Sequence, residues 1–321
     1  MERKIDRQAY LIIAFNNFKQ LGMLISLLDH PYTDIFVFID KKSRFSDSDR
    51  KYLVNGVNKS NVYFVPRINT YWGDFSLVNA ELILFENAYK TNSYSYYHLL
   101  SGSDMPLVPE TTIFDFFDKN RNKVFINLGE VNENVKDRVR YRQVFIKYRK
   151  RSKKNKVIVY SAKVANKLFI ILQKILKINL IKKYKVEVGI ASQWVSLDPD
   201  TVKLILNNKK WITKVFSKSI CSDELFIPTL LNKYPKYKEK IWKKDIIPNK
   251  SGELFGNLRY INWWSGSPYT WKDGDEMELD KGIKSGNLFS RKFDFSNTPQ
   301  LRNYIIARNN ELNSTFLKGK L

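Results

Sequence analysis

Apolar residues first gather at Ala9–Phe15 (AYLIIAF) with no polar alternation, as expected of a strand buried on both faces. Asp34–Asp40 (DIFVFID) repeats the pattern, and Val62–Pro66 (VYFVP) gives a shorter third run. Between the first two, Phe18–Leu28 has helical spacing and stops at His30-Pro31. Ser76–Lys90 (SLVNAELILFENAYK) is helical again, with Ser76 placed as its cap. Ser95–Leu100 (SYYHLL) predicts another strand, running straight into Ser101-Gly102-Ser103-Asp104. Strands alternating with helices in this order predict an α/β fold, a mostly parallel sheet covered on both faces. Ligands of such sheets collect beyond the carboxyl ends of the strands.

The second half is less regular. Lys123–Leu128 predicts a strand, and Ile190–Asp200 leads into a helix ending near Leu206. Ser222–Tyr234 (SDELFIPTLLNKY) predicts a helix with Ser222 at its N-cap and two acids in its first turn. From Ser251 to Asp294 the chain is rich in Trp, Gly, Ser and Pro, predicting a loop-built carboxyl-terminal lobe, and one helix follows Pro299. With no repeat, flexible linker or low-complexity tract, one domain spanning 1–321 is expected.

Charge changes this picture in one region. The formal net charge is +23, and Lys136–Lys185 holds 18 lysines and arginines against one acid, Asp137. The basic character therefore belongs to an insertion at 136–185, densest at Lys150–Lys154. Within it Val164–Lys183 reads as a helix with Leu168, Phe169, Leu172, Ile175 and Leu176. A polybasic run beside an apolar helix suits an anionic membrane surface or an acidic acceptor. A solvated face is the plainer alternative. Nucleic acid is a third, but no reader motif accompanies the charge, and nucleic acid is not an expected partner. No run approaches the roughly 20 apolar residues of a spanning helix. One cysteine, Cys221, excludes an internal disulfide, and two histidines argue against a zinc site.

Few residues carry obvious chemistry. Asp40 and Asp104 end strands, where a carboxylate could bind a sugar hydroxyl or simply cap a turn. Glu224, beside Asp223 at a helix start, could be a general base or an ordinary capping acid. Arg291-Lys292 (in NLFSRKFD) could neutralise a diphosphate leaving group or lie on a solvated turn. Trp263, Trp264 and Trp271 could form a sugar-stacking platform or pack a core. Asp273-Gly274-Asp275 reads as a turn, and no metal site is predicted.

Taken in order, several blocks resemble the core-2/I-branching β-1,6-N-acetylglucosaminyltransferase family, which includes the peptide O-xylosyltransferases and bacterial members. They are AYLIIAFNNFKQLGMLISLL, IDKKS, YWGDFSLVNAELILFENA, YYHLLSGSDMPL, SQWVSL, SDELFIPTLL, LRYINW and LFSRKFD, covering roughly residues 9–294. The resemblance implies a GT-A-type, Rossmann-like fold and inverting transfer from a UDP-sugar without a required metal or other cofactor. It implies that Glu224 is the catalytic base and that Lys292 binds the diphosphate. A second family cation falls near Tyr269, where no arginine stands, so either Arg291 or Arg259 substitutes or the phosphate contacts differ. Asp40, Ser101, Gly102 and Asp104 are expected to line the nucleotide-sugar pocket. Asp223, Gln193, Trp194, Arg138, Arg140, Tyr141 and Trp263 are expected on the substrate side.

The most expected donor sugar is GlcNAc, with xylose, galactose and glucose as alternatives. The acceptor is expected to be a glycan or lipid-linked oligosaccharide in bacterial surface polysaccharide synthesis. Animal members carry a membrane anchor and disulfides. This sequence shows neither, which implies a cytoplasmic enzyme, peripheral on the inner face of the plasma membrane. A non-catalytic carbohydrate- or nucleic-acid-binding protein is the alternative from another class.

Overall fold

The computed structural model describes residues 6–148, 156–242 and 250–318, with side chains through residue 310. The basic cluster Lys150–Lys154 lies outside the described residues. The strands are β1 (Arg7–Ala14), β2 (Thr33–Ile39), β3 (Asn61–Phe64), β4 (Tyr94–Ser101), β5 (Asp104–Pro106), β6 (Ser196–Leu197), β7 (Arg259–Ile261) and β8 (Phe289–Arg291). Five form one sheet in the order β3-β2-β1-β4-β6, parallel except for β6 against β4. Gln8–Ala14 and all of β2 are buried, which explains runs that never alternate. Helices Phe18–Leu27 and Ser76–Thr91 provide the predicted cover. This is the expected α/β fold with a mostly parallel sheet.

Several local expectations change. Ser76 does not cap its helix; it lies inside the first turn, and its hydroxyl accepts the Tyr71 N–H at 3.0 Å. Ser222 is not an N-cap either. Ser222–Glu224 forms a 3-10 turn, entered through Cys221 at φ 48°, and the α-helix begins only at Phe226. Lys123–Leu128 makes isolated bridges to Ile241, Ser196 and Ala191 instead of a continuous strand. Helices Asp47–Val54, Glu110–Lys119 and Lys209–Phe216 were not anticipated.

The carboxyl-terminal lobe is not purely loop-built. There β7 and β8 join β5 in a second sheet, ordered β5-β8-β7. Each has three residues, too few for a periodic signal. Trp271 belongs to the core: its Nε1 donates to Ser290 Oγ at 2.9 Å, and its ring stacks on Tyr260. His98 is a satisfied core histidine between Ser196 Oγ and Gln8 Oε1.

Arg259 joins the two sheets. Fully buried on β7, it donates Nη2 to the Val195 carbonyl (2.8 Å), the Ser196 hydroxyl (3.0 Å) and the Leu99 carbonyl (3.4 Å), and Nη1 to the Asn257 carbonyl. Its guanidinium also lies 5.1 Å from the Phe289 ring centre. Burial lowers its pKa to about 9, with the opposing charge of Asp104 offsetting part of the cost. Arg259→Met would keep the bulk and remove these charge-assisted hydrogen bonds, although the Val195 carbonyl keeps the Leu99 N–H and the Ser196 hydroxyl keeps His98 Nδ1. It should cost about 2–4 kcal/mol in urea unfolding.

Candidate active site

The carboxyl end of β4 is organised around a carboxylate. Asp104 Oδ2 accepts the Ser101 N–H at 2.9 Å and Oδ1 accepts the Ser101 hydroxyl at 2.8 Å. Across the antiparallel β5–β8 pair, Arg291 Nη1 donates to Asp104 Oδ1 at 2.8 Å and also to Ser101 Oγ. The guanidinium lies 4.4 Å from the Trp194 ring centre, and the side chain is 18% exposed. Nε and Nη2 donate to no described residue, so the outer edge of the fork is open to an anion. Gly102 fits here because a Cβ would stand 3.3 Å from that of Ala14, at the end of β1. Lys292 follows in the next position, half-buried, with its charge felt by Asp294.

Asp40 ends β2 and is buried. Its Oδ1 accepts the Lys42 N–H at 2.7 Å, and Oδ2 accepts the N–H and hydroxyl of Thr70. The carboxylate thus ties the strand end to the 70s loop. That loop continues to Gly73, at φ 71°, where a Cβ would stand 3.2 Å from Cys221 Sγ. The Cys221 N–H donates to the Gly73 carbonyl at 2.8 Å, so the YWGDF block supports the turn carrying Glu224.

Glu224 is held by an arginine from the basic insertion. Arg138 Nη2 donates to Glu224 Oε2 at 2.7 Å and to the Cys221 carbonyl at 2.6 Å, while Nε donates to the Ile220 carbonyl at 3.1 Å. The Glu224 side chain is 41% exposed, and its Oε1 has no donor among the described residues. One carboxylate oxygen is fixed and the other is accessible. Behind it, Asp223 is buried, and burial together with the charge of Glu224 raises its pKa to about 7. Glu81, fully buried on helix Ser76–Thr91, accepts Gln193 Nε2 at 2.7 Å. Burial and the nearby Asp223 push its carboxyl well above the usual range.

Gln193 and Trp194 connect the two groups: one binds Glu81, and its neighbour lies beneath Arg291. The structure thus gathers Glu224, Asp223, Arg138 and Gln193 into one cluster and Ser101, Gly102, Asp104, Arg291 and Trp194 into another. Other candidates lie elsewhere or have other partners. Arg259 is enclosed in the core. Arg140 pairs with Asp137 and Glu133 at 2.6 and 2.7 Å, on its own helix Glu133–Arg140. Tyr141 is buried, with Lys174 5.6 Å from its ring centre. Trp263 is exposed, and Trp264 packs 5.6 Å from Tyr260. Sequence reasoning passed over Glu81. A carboxylate on the same face as Val78, Leu82 and Phe85 was the available signal.

A family description for the Core-2/I-Branching enzymes matches residues 8–280. The chain belongs to the Core-2/I-Branching enzyme family. It is a glycosyltransferase, and a UDP-sugar donor is consistent with this membership. Among solved structures, mouse xyloside xylosyltransferase 1 in its apo form is similar at 10% identity and TM-score 0.40, over 92% of this chain and 99% of that one. The mannosyltransferase Ktr4p from S. cerevisiae matches at 11% identity and TM-score 0.33, over 71% and 67%. A putative glucose-1-phosphate thymidylyltransferase from Bacillus anthracis matches at 14% identity and TM-score 0.27, over 45% and 61%. No curated protein matches the sequence. Among the described residues of this branching-family chain, no group of three or more His, Cys, Asp or Glu is arranged to hold a metal ion.

The Asp223 proton has a measurable consequence. Its pKa rises from 3.8 to about 7 on folding, so between those values the folded chain binds more protons than the unfolded one. Stability therefore falls as pH rises from about 4 to about 7 and stays low above that. Asp223→Asn should remove this contribution, gaining up to about 4 kcal/mol on the wild type across the window. Thermal melts over that range provide the measurement, and parallel curves for the two proteins would refute the assignment.

Proposed function

We propose that this branching-family enzyme moves GlcNAc from UDP-GlcNAc to a hydroxyl of a glycan or lipid-linked oligosaccharide, with inversion and without a divalent metal. The observation that carries this reading is the pairing of a fixed, half-exposed Glu224 with cations at the end of β8, joined by Gln193-Trp194. Glu224 Oε1 takes the proton of the acceptor hydroxyl while that oxygen forms its bond to the anomeric carbon. The bond from that carbon to the diphosphate oxygen breaks on the opposite face, and its electron pair leaves with UDP. Arg291 and Lys292 receive the growing diphosphate charge, a role a metal would otherwise fill. Ser101, Gly102 and Asp104 form the wall behind Arg291, and Asp40 shapes the neighbouring strand end. Arg138 orients the base through the other carboxylate oxygen.

The pathway that suits this chemistry is bacterial surface polysaccharide synthesis, at the cytoplasmic face of an anionic membrane. The charge of the 136–185 segment supports that placement.

Glu224→Gln should leave UDP affinity nearly unchanged and lower turnover about a thousandfold or more. Lys292→Met should do the reverse in part, weakening UDP binding about tenfold. Calorimetry with UDP and a turnover assay across UDP-GlcNAc, UDP-xylose, UDP-galactose and UDP-glucose separate the two effects and rank the donors. Unchanged turnover in Glu224→Gln would place the base elsewhere. Activity is also expected to persist in excess EDTA; loss there, restored by a divalent ion, would overturn the metal-free reading.

A further inference from the structure

The helix Lys156–Ile175 is built inside out. Its protein-facing side is Ala162, Asn166 and Gln173. Gln173 accepts the Arg142 N–H and donates to the Arg142 carbonyl, both at 2.9 Å. Asn166 accepts the Val144 N–H at 2.8 Å and donates to Gln143 Oε1 at 2.9 Å. Amide side chains, satisfied by an extended segment, thus hold the helix to the protein. The opposite side is apolar. Val157, Val164, Leu168, Ile171 and Ile175 follow at steps of seven, four, three and four residues, which keeps them on one face. All five are exposed, Val157 at 80% and Ile175 at 70%.

A row of lysines borders this stripe. Lys156, Lys163, Lys167 and Lys174 recur at steps of seven, four and seven residues, along one edge of the helix. No acid occurs from Lys156 to Lys185. Beside the stripe lies a cavity of about 430 Å³ lined by Phe169, Leu172, Leu176 and Ile178, with Arg142 and Lys183 also in its wall. An apolar slot with cations around it suits an acyl chain beneath a phosphate headgroup.

We propose that this outward face is the docking surface for an anionic lipid bilayer, with the helix lying in the interface and its lysine row among the phosphates. The inference rests on the membrane placement given above and assigns it to one face. A water-facing helix would turn its amides outward and its leucines inward; this one does the opposite. The lysine row selects the occupant. Against a second copy of the chain, two rows of like charge would oppose each other. Against anionic headgroups the same row is complementary, and the apolar stripe enters the acyl boundary. No helix among the described residues is long and apolar enough to cross a membrane, so the geometry fits lying on the surface.

The test uses the full chain and vesicles of phosphatidylglycerol with phosphatidylcholine, compared with phosphatidylcholine alone. Wild type should cosediment with the anionic vesicles, and less so as salt rises. Leu168→Glu/Ile171→Glu/Ile175→Glu, all at exposed positions, should lower the partition constant at least about tenfold. Lys163→Gln/Lys167→Gln/Lys174→Gln should lower it about fivefold per lysine, on anionic vesicles only. Thermal melts and hydrolysis of UDP-GlcNAc in solution report whether each variant is folded, and both should match wild type. Wild type that binds no vesicle overturns the membrane placement and this surface with it. Wild-type binding that the glutamate variant retains overturns the surface alone. A dimer in sedimentation that the glutamate variant dissolves, without vesicle binding, assigns the face to a second copy and overturns the proposal.

Discussion

The buried guanidinium of Arg259 is the contact on which the rest of the site depends. It stands on the short second sheet and spends its donors on carbonyls and a hydroxyl around β4 and β6 of the main sheet. Strands of two or three residues cannot hold a lobe in place through their own ladders. A buried charged fork that reaches several acceptors can, because moving the lobe would break several charge-assisted hydrogen bonds and leave the guanidinium buried without them. That pin sets where β8 runs, and β8 delivers Arg291 to the Ser101–Asp104 turn. Arg291 then stacks on Trp194, whose neighbour Gln193 holds Glu81. The clusters around Arg291 and Glu224 are therefore tied together by one chain of contacts.

The acids around Glu224 pose a problem of crowding. The charge of Glu224 raises the pKa of Asp223, and the charge of Asp223 raises that of Glu81. Glu81 and Asp223 are enclosed and hold their protons more readily than exposed carboxyls would, while Glu224 is half-exposed and paired with Arg138. The same arrangement explains why a helix start alone was a poor guide to this carboxylate. Glu224 lies in a 3-10 turn ahead of the helix, and an arginine 86 positions earlier fixes its direction.

The sequence showed clearly what depended on local pattern. β1, β2 and β4 are buried along nearly their full length, so their residues read as apolar runs, and the helices between them kept their period. What it hid depended on tertiary partners. The three-residue strands β5, β7 and β8 exist only because they pair with one another, and nothing local distinguishes them from loops. Arg259 and Arg291 look alike as cations near the carboxyl terminus; only the fold shows that one is enclosed and the other faces Ser101. Arg138 and Arg140 are two residues apart on one helix, yet one reaches Glu224 and the other stays with Glu133 and Asp137. Ordered motif blocks located the family, whereas the partner of each charge could come only from geometry.

The uneven charge of the chain is arranged in two ways within one insertion. Its first helix sends Arg138 inward to Glu224. Its second helix turns Asn166 and Gln173 inward and leaves lysines and apolar side chains outside. Between them, the stretch Arg142–Val144 is held by those amides. A load on the outer helix would reach Arg142, four residues from the arginine that orients Glu224. The outer helix and Glu224 are therefore joined through this stretch and Arg138, although two-state coupling between them requires that the stretch have a second arrangement. With both amides bonded to it, the segment is held in the arrangement seen here, which favours a fixed mount over a switch.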